Sequence, residues 1–227
     1  MLKHIPKKQN ESNRDYIYRT LKQSITELYF IPGDKISEPS IAEELNVSRT
    51  PVREALILLE DENLVHIQPK QGTFVSKLDA KQIENFIFIR QCIEREVIRL
   101  AAERLTPEST EQLTEQLQAQ KVFLNIKDGR TSMYLLENAF YRIVYEVAGR
   151  YEIWRSLQHM GSHFNRLRIL DVLDENYTPK RYQENLTLMS ILVDKKVDEI
   201  DSFIHLHLDL LSTTLPYFQK KHPDYFV

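Results

Sequence analysis

Residues 46–54 read NVSRTPVRE, and this stretch decides how the first third of the chain folds. Ser48 is a typical N-cap residue and predicts that a helix begins at the next position. Pro51 then falls inside the first turn, where its missing N–H would have had no intrahelical acceptor. Arg49 and Arg53 lie four residues apart, on one face of the N-terminal end of that helix. Arginines placed there can bond guanine O6 and N7 in the major groove, which indicates a DNA-recognition helix.

The two arginines also have a second interpretation, a solvated face that is salt-bridged to Glu54 and Glu60. The net charge of -3 argues against a chain that coats nucleic acid without specificity, so a DNA contact requires locally placed positive charge. Beside the arginines, the hydroxyls of Ser48 and Thr50 can bond to backbone oxygens of DNA.

The segments before this helix predict two more helices. Apolar residues at spacings of three and four predict an amphipathic helix over residues 16–28, which stops before a Pro-Gly-Asp turn. Ser37 predicts the N-cap of a second, short helix, because Pro39 is tolerated in a first turn. Asn46 suits the tight turn into the third helix, since asparagine tolerates the left-handed conformation.

Two short strands are predicted after the third helix. Apolar residues at positions 65 and 67, and again at 73–75, fit strands, and Gly72 in the turn between them can adopt a positive φ. Three helices followed by a hairpin is the order of a winged helix-turn-helix module. We predict this module over residues 10–76.

The rest of the chain shows helical periodicity without strand alternation. Asp79 predicts the N-cap of a long helix that ends near Leu105. Further helices are predicted over residues 107–127, 131–148, 151–172, 179–194 and 197–220. The predicted fold class is therefore mainly α, with the N-terminal winged helix-turn-helix followed by an all-α helical bundle over residues 79–222.

Composition limits the environment of the chain. No run of about 18 apolar residues exists, and the N-terminus has no signal-peptide pattern, so we expect a cytoplasmic protein without a membrane partner. Cys92 is the lone cysteine, which excludes an intrachain disulfide. Because its neighbours follow a helical apolar pattern, we expect Cys92 to be buried and inert.

The run PGDKISEPSIAEELNVSRTPVREALILLEDENLVHIQPKQGTFV, residues 32–75, resembles the DNA-binding domain of the GntR family of bacterial transcription regulators. The resemblance implies that Arg49 and Arg53 contact operator bases, that Ser48 and Thr50 touch the DNA backbone, and that Gly72 lies by the minor groove.

One position departs from the family pattern. The family usually carries arginine or another polar residue where this chain has Pro39, so a DNA contact expected there is lost or shifted. Two wing residues, Lys70 and Gln71, are candidate replacements.

The second part resembles the FCD ligand-binding domain of the FadR branch of that family. The matching segments are IRQCIEREVIRLAAERL, LENAFYRIVYEVAGR and ENLTLMSILVDKKVDEIDSFIHLHL. Many FCD domains hold a divalent metal with one aspartate and three histidines, but the matching positions are Glu137, Tyr141, Asn185 and His207. A phenol and an amide oxygen are weak donors beside imidazole, so we predict no metal or other cofactor. If a metal bound, Glu137 and His207 would hold it.

The same four residues suit hydrogen bonding to a polar effector. Arg90 matches an arginine that often faces the effector in the family and could hold a carboxylate, although an ion pair with Glu94 four residues on is an equal alternative. Arg166 on the central helix is a further effector-binding candidate.

The predicted function is that of a transcription regulator, by family habit a repressor, which binds a palindromic double-stranded operator as a homodimer and responds to a small, carboxylate-bearing effector. Alternatives remain open. They are a metal-responsive regulator of the same family, with His159 and His163 as a rival metal pair; a helical-bundle enzyme with Glu137 and His207 as acid and base; and a DNA-binding protein that senses nothing.

Overall fold

The computed structural model describes residues 2–124, 126, 130–174, 178–209 and 213–227. Residues 13–75 contain three helices and a small sheet, and we call them the head. Its elements are α1 (Asn13–Thr26), β1 (Lys35–Ile36), α2 (Glu38–Glu44), α3 (Arg49–Asp61), β2 (Val65–Gln68) and β3 (Gly72–Val75). The predicted winged helix-turn-helix is therefore present.

The turns of the head follow the residue types that the sequence supplies. Ser37 caps α2, since its hydroxyl accepts the Ser40 N–H at 3.3 Å. Asn46 adopts the left-handed conformation at φ 52°, which lets α3 start directly after α2. Gly72, at φ 125°, opens the last strand. α3 packs on α1 over an apolar core that includes Ile17, Leu21, Ile25, Val52, Leu56 and Leu59.

The sheet has one strand more than the sequence predicted. β3 lies in the middle and pairs antiparallel with both β1 and β2, with Lys35 opposite Phe74 and Val65 opposite Val75. β1 has only two residues, too short to show an alternating pattern, which is why the sequence did not reveal it.

Residues 80–221 form the bundle, whose described residues contain helices and the turns between them and no strand. Its helices are α4 (Ala80–Arg104), α5 (Pro107–Phe123), α6 (Arg130–Val147), α7 (Tyr151–Met160), α8 (Ser162–Leu173), α9 (Thr178–Asp194), α10 (Ile200–His207) and α11 (Thr214–Lys221). α4 and α6 lie centrally and contact most of the others. The predicted fold class, mainly α with a winged head and a helical bundle, is confirmed. None of the described helices has the length and apolarity needed to cross a membrane.

Three predictions about the bundle were wrong. The helix predicted over 151–172 breaks at Gly161, where an added Cβ would lie 2.7 Å from the Phe86 ring, so α4 approaches at a point that only glycine permits. The helix predicted over 197–220 is α10 and α11, and residues 210–212 lie outside the described part. Cys92 is exposed rather than buried, because α4 turns it to the side that carries the exposed Phe88.

A short linker, residues 76–79, joins the head to the bundle. Leu78 forms a parallel bridge with Phe226, in which the Leu78 N–H donates to the Tyr225 carbonyl at 2.7 Å and the Val227 N–H donates to the Leu78 carbonyl at 3.1 Å. The C-terminal segment thus fixes the linker against the bundle.

Candidate DNA-reading surface and buried bundle site

The N-terminal end of α3 presents a polar, exposed surface. Arg49, Thr50 and Arg53 are all exposed. Ser48 occupies the N-cap position, as predicted, but its hydroxyl accepts no capping hydrogen bond. That hydroxyl is therefore available to a partner outside the chain.

The two arginines of α3 are not committed to acids of the chain. Among the described residues neither guanidinium forms an ion pair, although Glu54 and Glu60 lie on the same helix. Glu60 instead accepts the backbone N–H of Ile67 at 2.7 Å and so ties α3 to the wing. The salt-bridged alternative for Arg49 and Arg53 thus has no support in this structure.

A cleft of about 500 Å³ separates α3 from the wing. The side chains along it include those of Arg53 and Gln71, together with Gly72, so the structure brings these three predicted DNA-binding residues together. Lys35 and Pro39 line the same cleft. Arg53 and the wing can therefore face one stretch of nucleic acid from two sides.

In the bundle, Glu137 is fully buried, and its Oε2 lies 2.5 Å from the guanidinium of Arg168 on α8. A buried carboxylate needs a counter-charge, and here an internal cation supplies it. Arg168 also lies over the rings of Tyr134 and Phe164, at 5.0 and 6.0 Å from their centroids.

His207 lies at the centre of a second buried group. Its Nδ1 is 3.1 Å from Glu184 Oε2 and 3.4 Å from the Tyr141 hydroxyl, and its ring stacks on Tyr141 at 5.0 Å. Arg181 donates to Glu184 at 2.7 Å and to the His207 carbonyl at 2.8 Å. Burial, reinforced by the Arg181 charge, lowers the pKa of His207 well below its usual value, so the imidazole is neutral.

Asn185, from α9, completes the set of predicted effector residues. Its Nδ2 donates to Gln120 Oε1 at 2.9 Å, and both side chains are fully buried. Asn185 Oδ1 and Gln120 Nε2 have no hydrogen-bond partner among the described residues. Buried polar atoms left without partners are costly, and an acceptor beside a donor suits a polar ligand or a water molecule.

These residues do not fit a divalent metal. The Glu137 carboxylate is held by Arg168, and His207 is bonded to Glu184. Burial raises the pKa of Tyr141 well above its usual value, so its phenol stays neutral and is a poor donor to a cation.

Arg90 faces the bundle interior and is also paired. Its Nε donates to Glu94 Oε1 at 2.6 Å, so the ion-pair alternative for Arg90 is present in the structure. The guanidinium lies 6.0 Å from the Tyr141 ring centroid and lines, with Arg168, an enclosed space of about 10 Å³. Such a volume holds at most one water molecule. The interior must open before an organic ligand can enter.

Arg166 lies apart from the other predicted effector residues, so its assignment to the effector site stays a prediction that its contacts do not support. It is fully buried at the joint of head and bundle, where it donates to the backbone carbonyls of Ser76 and Ser162. Burial lowers its pKa to about 9. Its Nη2 also lies 3.4 Å from His163 Nδ1, so the contacts of Arg166 join the linker to the start of α8.

The rival metal pair, His159 and His163, is divided between α7 and α8. His163 Nδ1 accepts the Asp79 N–H at 3.1 Å, and burial lowers the pKa of His163 to about 4. His159 instead points to the end of α3, with its Nδ1 3.4 Å from Glu62 Oε1. The two imidazoles therefore have separate partners on separate sides of Gly161.

Sequence reasoning missed four residues of the bundle site, Gln120, Arg168, Arg181 and Glu184. A signal was present for Arg168, since SHFNRLRILDVL places two arginines in an apolar run and arginine is almost never fully buried unless paired. Arg181 and Glu184 stand at i and i+3, a spacing that is equally common on solvated faces, so no signal separated them from surface residues.

Comparison with known proteins agrees with this architecture. Residues 13–75 match the family described as bacterial regulatory proteins, gntR family, and residues 86–210, more than half of the chain, match the FCD domain. The HTH-type transcriptional repressor RspR of Escherichia coli (strain K12) is 28% identical over 210 residues, which are 92% of each chain. An HTH-type transcriptional regulator in an unstable DNA locus of Streptomyces ambofaciens is 33% identical over 173 residues, 74% of this chain and 70% of that one.

Among solved structures, that of E. coli McbR/YncC matches with a TM-score of 0.72 over 93% of this chain and 99% of that chain. The two sequences are 19% identical, so the match speaks for the fold alone.

Proposed function

Because the chain belongs to the GntR family of bacterial regulatory proteins and carries an FCD domain, we propose that it is a repressor whose hold on its operator is released by a small polar effector. The chain is a DNA-binding transcription regulator and not an enzyme. The relative RspR is named a repressor, which supports the direction of control. We expect this chain to act in the cytoplasm, where an operator is accessible.

The proposal rests on one observation, the two arginines of α3 that form no ion pair with an acid of the described chain. Arg49 and Arg53 are exposed, lie on one face of the N-terminal end of the helix, and have no acid of the described chain to neutralise them. Held above a groove, they can each bond a guanine, while Ser48 and Thr50 bond the flanking phosphates. One such helix reads only a few base pairs, so a homodimer on a palindromic operator is the arrangement that gives sufficient affinity.

The effector side of the proposal depends on the polar interior of the bundle. Asn185 Oδ1 and Gln120 Nε2 offer an acceptor and a donor without partners among the described residues. Burial raises the pKa of Glu94, although Arg90 opposes this, so Glu94 takes up a proton more readily than an exposed carboxylate does. A carboxylate-bearing effector would take its place on Arg90 while Glu94 takes up a proton.

Helix α8 offers a route from the bundle interior to the head. Arg168 on this helix binds Glu137 inside the bundle, and Arg166, two residues earlier, binds the linker carbonyl of Ser76. A ligand that shifts α8 while opening the interior would move both contacts, and the heads would lose register with their half-sites.

The DNA half of the proposal is tested with duplexes enriched from a random library by the wild-type chain. Arg49→Ala and Arg53→Ala should each bind the enriched duplex more weakly, whereas Arg142→Ala, an exposed arginine of the bundle, should bind like wild type. If all three variants bound the enriched duplex with wild-type affinity, the assignment of the DNA-reading surface would be refuted. Transcription from a promoter that carries the enriched site should fall when the chain is present, and a rise would make the chain an activator.

The effector half is tested by release of that duplex. A panel of small mono- and dicarboxylates is added to the complex, with the corresponding amides as controls. We expect at least one acid, and not its amide, to lower the affinity for DNA and to raise the unfolding temperature of the free chain. An effector that acts equally on Arg90→Ala would show that Arg90 does not hold the carboxylate.

A further inference from the structure

We propose that Lys35 is a DNA-backbone-binding residue that supplies the phosphate contact which Pro39 does not make. The inference rests on the proposed DNA-reading surface and adds a residue that neither the motif of α3 nor the wing sequence singled out. Its basis is the position of one lysine on β1, the short strand that the sequence did not reveal.

The wing holds the Lys35 side chain in place. A Cβ added to Gly72 would lie 2.8 Å from Lys35 Cε and 3.5 Å from its Nζ, so the lysine stem lies directly across the glycine. The Nζ is 5.7 Å from the ring centroid of Phe74, the residue opposite Lys35 in the sheet. Packing of the stem and the cation–π contact together favour one position for a side chain that would otherwise be mobile.

The charge at this position has no acidic partner within the described chain. Lys35 is exposed, and none of the described acids forms an ion pair with it, although Glu38 lines the same cleft. Arg53, on α3, lines the same cleft. A cation fixed between the recognition helix and the wing therefore faces the space through which a DNA strand would pass.

The chemistry indicates a phosphate rather than a base. Lysine carries a compact point charge without the planar fork that lets arginine read guanine. Pro39, near the start of α2 and on the same cleft, has neither a backbone N–H nor a polar side chain with which to bond a phosphate. Lys35 lines the same cleft as Pro39 and carries the charge that Pro39 lacks.

The test measures affinity for the enriched duplex and for a random duplex over a series of potassium chloride concentrations. The variants are Lys35→Met, which keeps the stem and removes the charge, Lys35→Arg, Arg53→Ala, and Lys220→Ala as a matched exposed lysine outside the head. Loss of one phosphate contact should reduce the salt slope of wild type by about 0.9. We expect Lys35→Met to show this change in slope and to lower the affinity for both duplexes by the same factor. Lys35→Arg and Lys220→Ala should keep the wild-type slope.

The outcomes separate this proposal from the one that it rests on. A wild-type slope for Lys35→Met, together with weakened binding by Arg53→Ala, would overturn the role of Lys35 and leave the recognition helix intact. A changed base preference in Lys35→Met would overturn the assignment to the backbone. If Arg53→Ala also bound like wild type, the DNA-reading surface itself would be wrong. Circular dichroism of Lys35→Met should match wild type, since the residue is exposed.

Discussion

The two arginines of α3 and three buried arginines of the bundle differ in their partners. On α3, Arg49 and Arg53 are exposed and have no acid among the described residues. In the bundle, three arginines are 4–5% exposed, and each is bound to a carboxylate: Arg90 to Glu94, Arg168 to Glu137 and Arg181 to Glu184.

The difference shows that an arginine side chain can either bind a partner outside the chain or stabilise the interior of the fold. A guanidinium in water keeps its charge at little cost and is ready for a partner outside the chain. A guanidinium inside a fold needs a carboxylate or several polar acceptors, because the desolvation penalty of a lone ion is several kcal/mol. The two arginines of α3 are therefore suited to an external partner, whereas the three paired arginines of the bundle belong to a closed interior.

The strongest test of this contrast removes one partner of a buried pair. Arg168→Met should lower the free energy of unfolding by about 3–5 kcal/mol, because Glu137 would remain buried without its cation. Chemical denaturation measures the loss. The double variant Arg168→Met, Glu137→Leu should recover most of it, since no charge then remains. A single variant as stable as wild type would mean that the pair is solvated.

The matching test in the head should leave stability unchanged and alter binding. Arg53→Ala should cost about 1–3 kcal/mol of operator binding and relax the preference at one base pair. Its free energy of unfolding should stay within about 0.5 kcal/mol of wild type, as for other surface substitutions. A stability loss as large as that of Arg168→Met would contradict the view that the head arginines have no internal partner.

A third test asks whether the bundle also rejects histidine cations. In the folded chain the pKa of His163 is lowered to about 4, whereas in the unfolded chain the imidazole takes up its proton near pH 6.5. The unfolded state therefore binds more protons in this window, and stability should fall as pH falls from 6.5 to 4, by about 1.4 kcal/mol per pH unit for this group. His163→Asn, which keeps an acceptor for the Asp79 N–H, should flatten the slope. His205→Asn, on the exposed side of α10, should not change it.

The smallest effect concerns two serines of the head. Ser37 caps α2 through its hydroxyl, so Ser37→Ala should cost about 1 kcal/mol of stability. Ser48 makes no such bond, so Ser48→Ala should cost less than about 0.5 kcal/mol and should weaken DNA binding instead. Thermal unfolding and duplex binding of both variants separate the two roles. Equal stability losses would show that Ser48 caps α3 in solution.

The head could be predicted closely because its signals are local. Ser37, Asn46 and Gly72 each fix a turn or a helix start through their own backbone preferences, and all three behave as expected. β1 escaped prediction because a strand of two residues depends on its pairing with β3 and not on a pattern of its own. Gly161 was read as part of one helix because the approach of Phe86 is a contact between distant segments.

The buried site was harder to predict, since the burial of a residue depends on packing between distant segments and not on its local sequence. The four positions taken from the family's metal set all lie inside the bundle, and Tyr141 and His207 are in contact. The cations that complete the site come from α8 and α9, and nothing in their spacing tells whether they face water or the interior. Arg166 and Arg168 are two residues apart, so a helix turns them to different sides, one to the linker and one to Glu137.

The bridge between Leu78 and Phe226 has a consequence for the order in which the chain folds. Contacts between segments far apart in sequence close a long loop, and the entropy of that closure favours their late formation. The head can complete its own core from neighbouring segments, whereas the bridge that holds the linker forms only when residue 226 reaches residue 78. We therefore expect the core of the head to form before this bridge holds the linker.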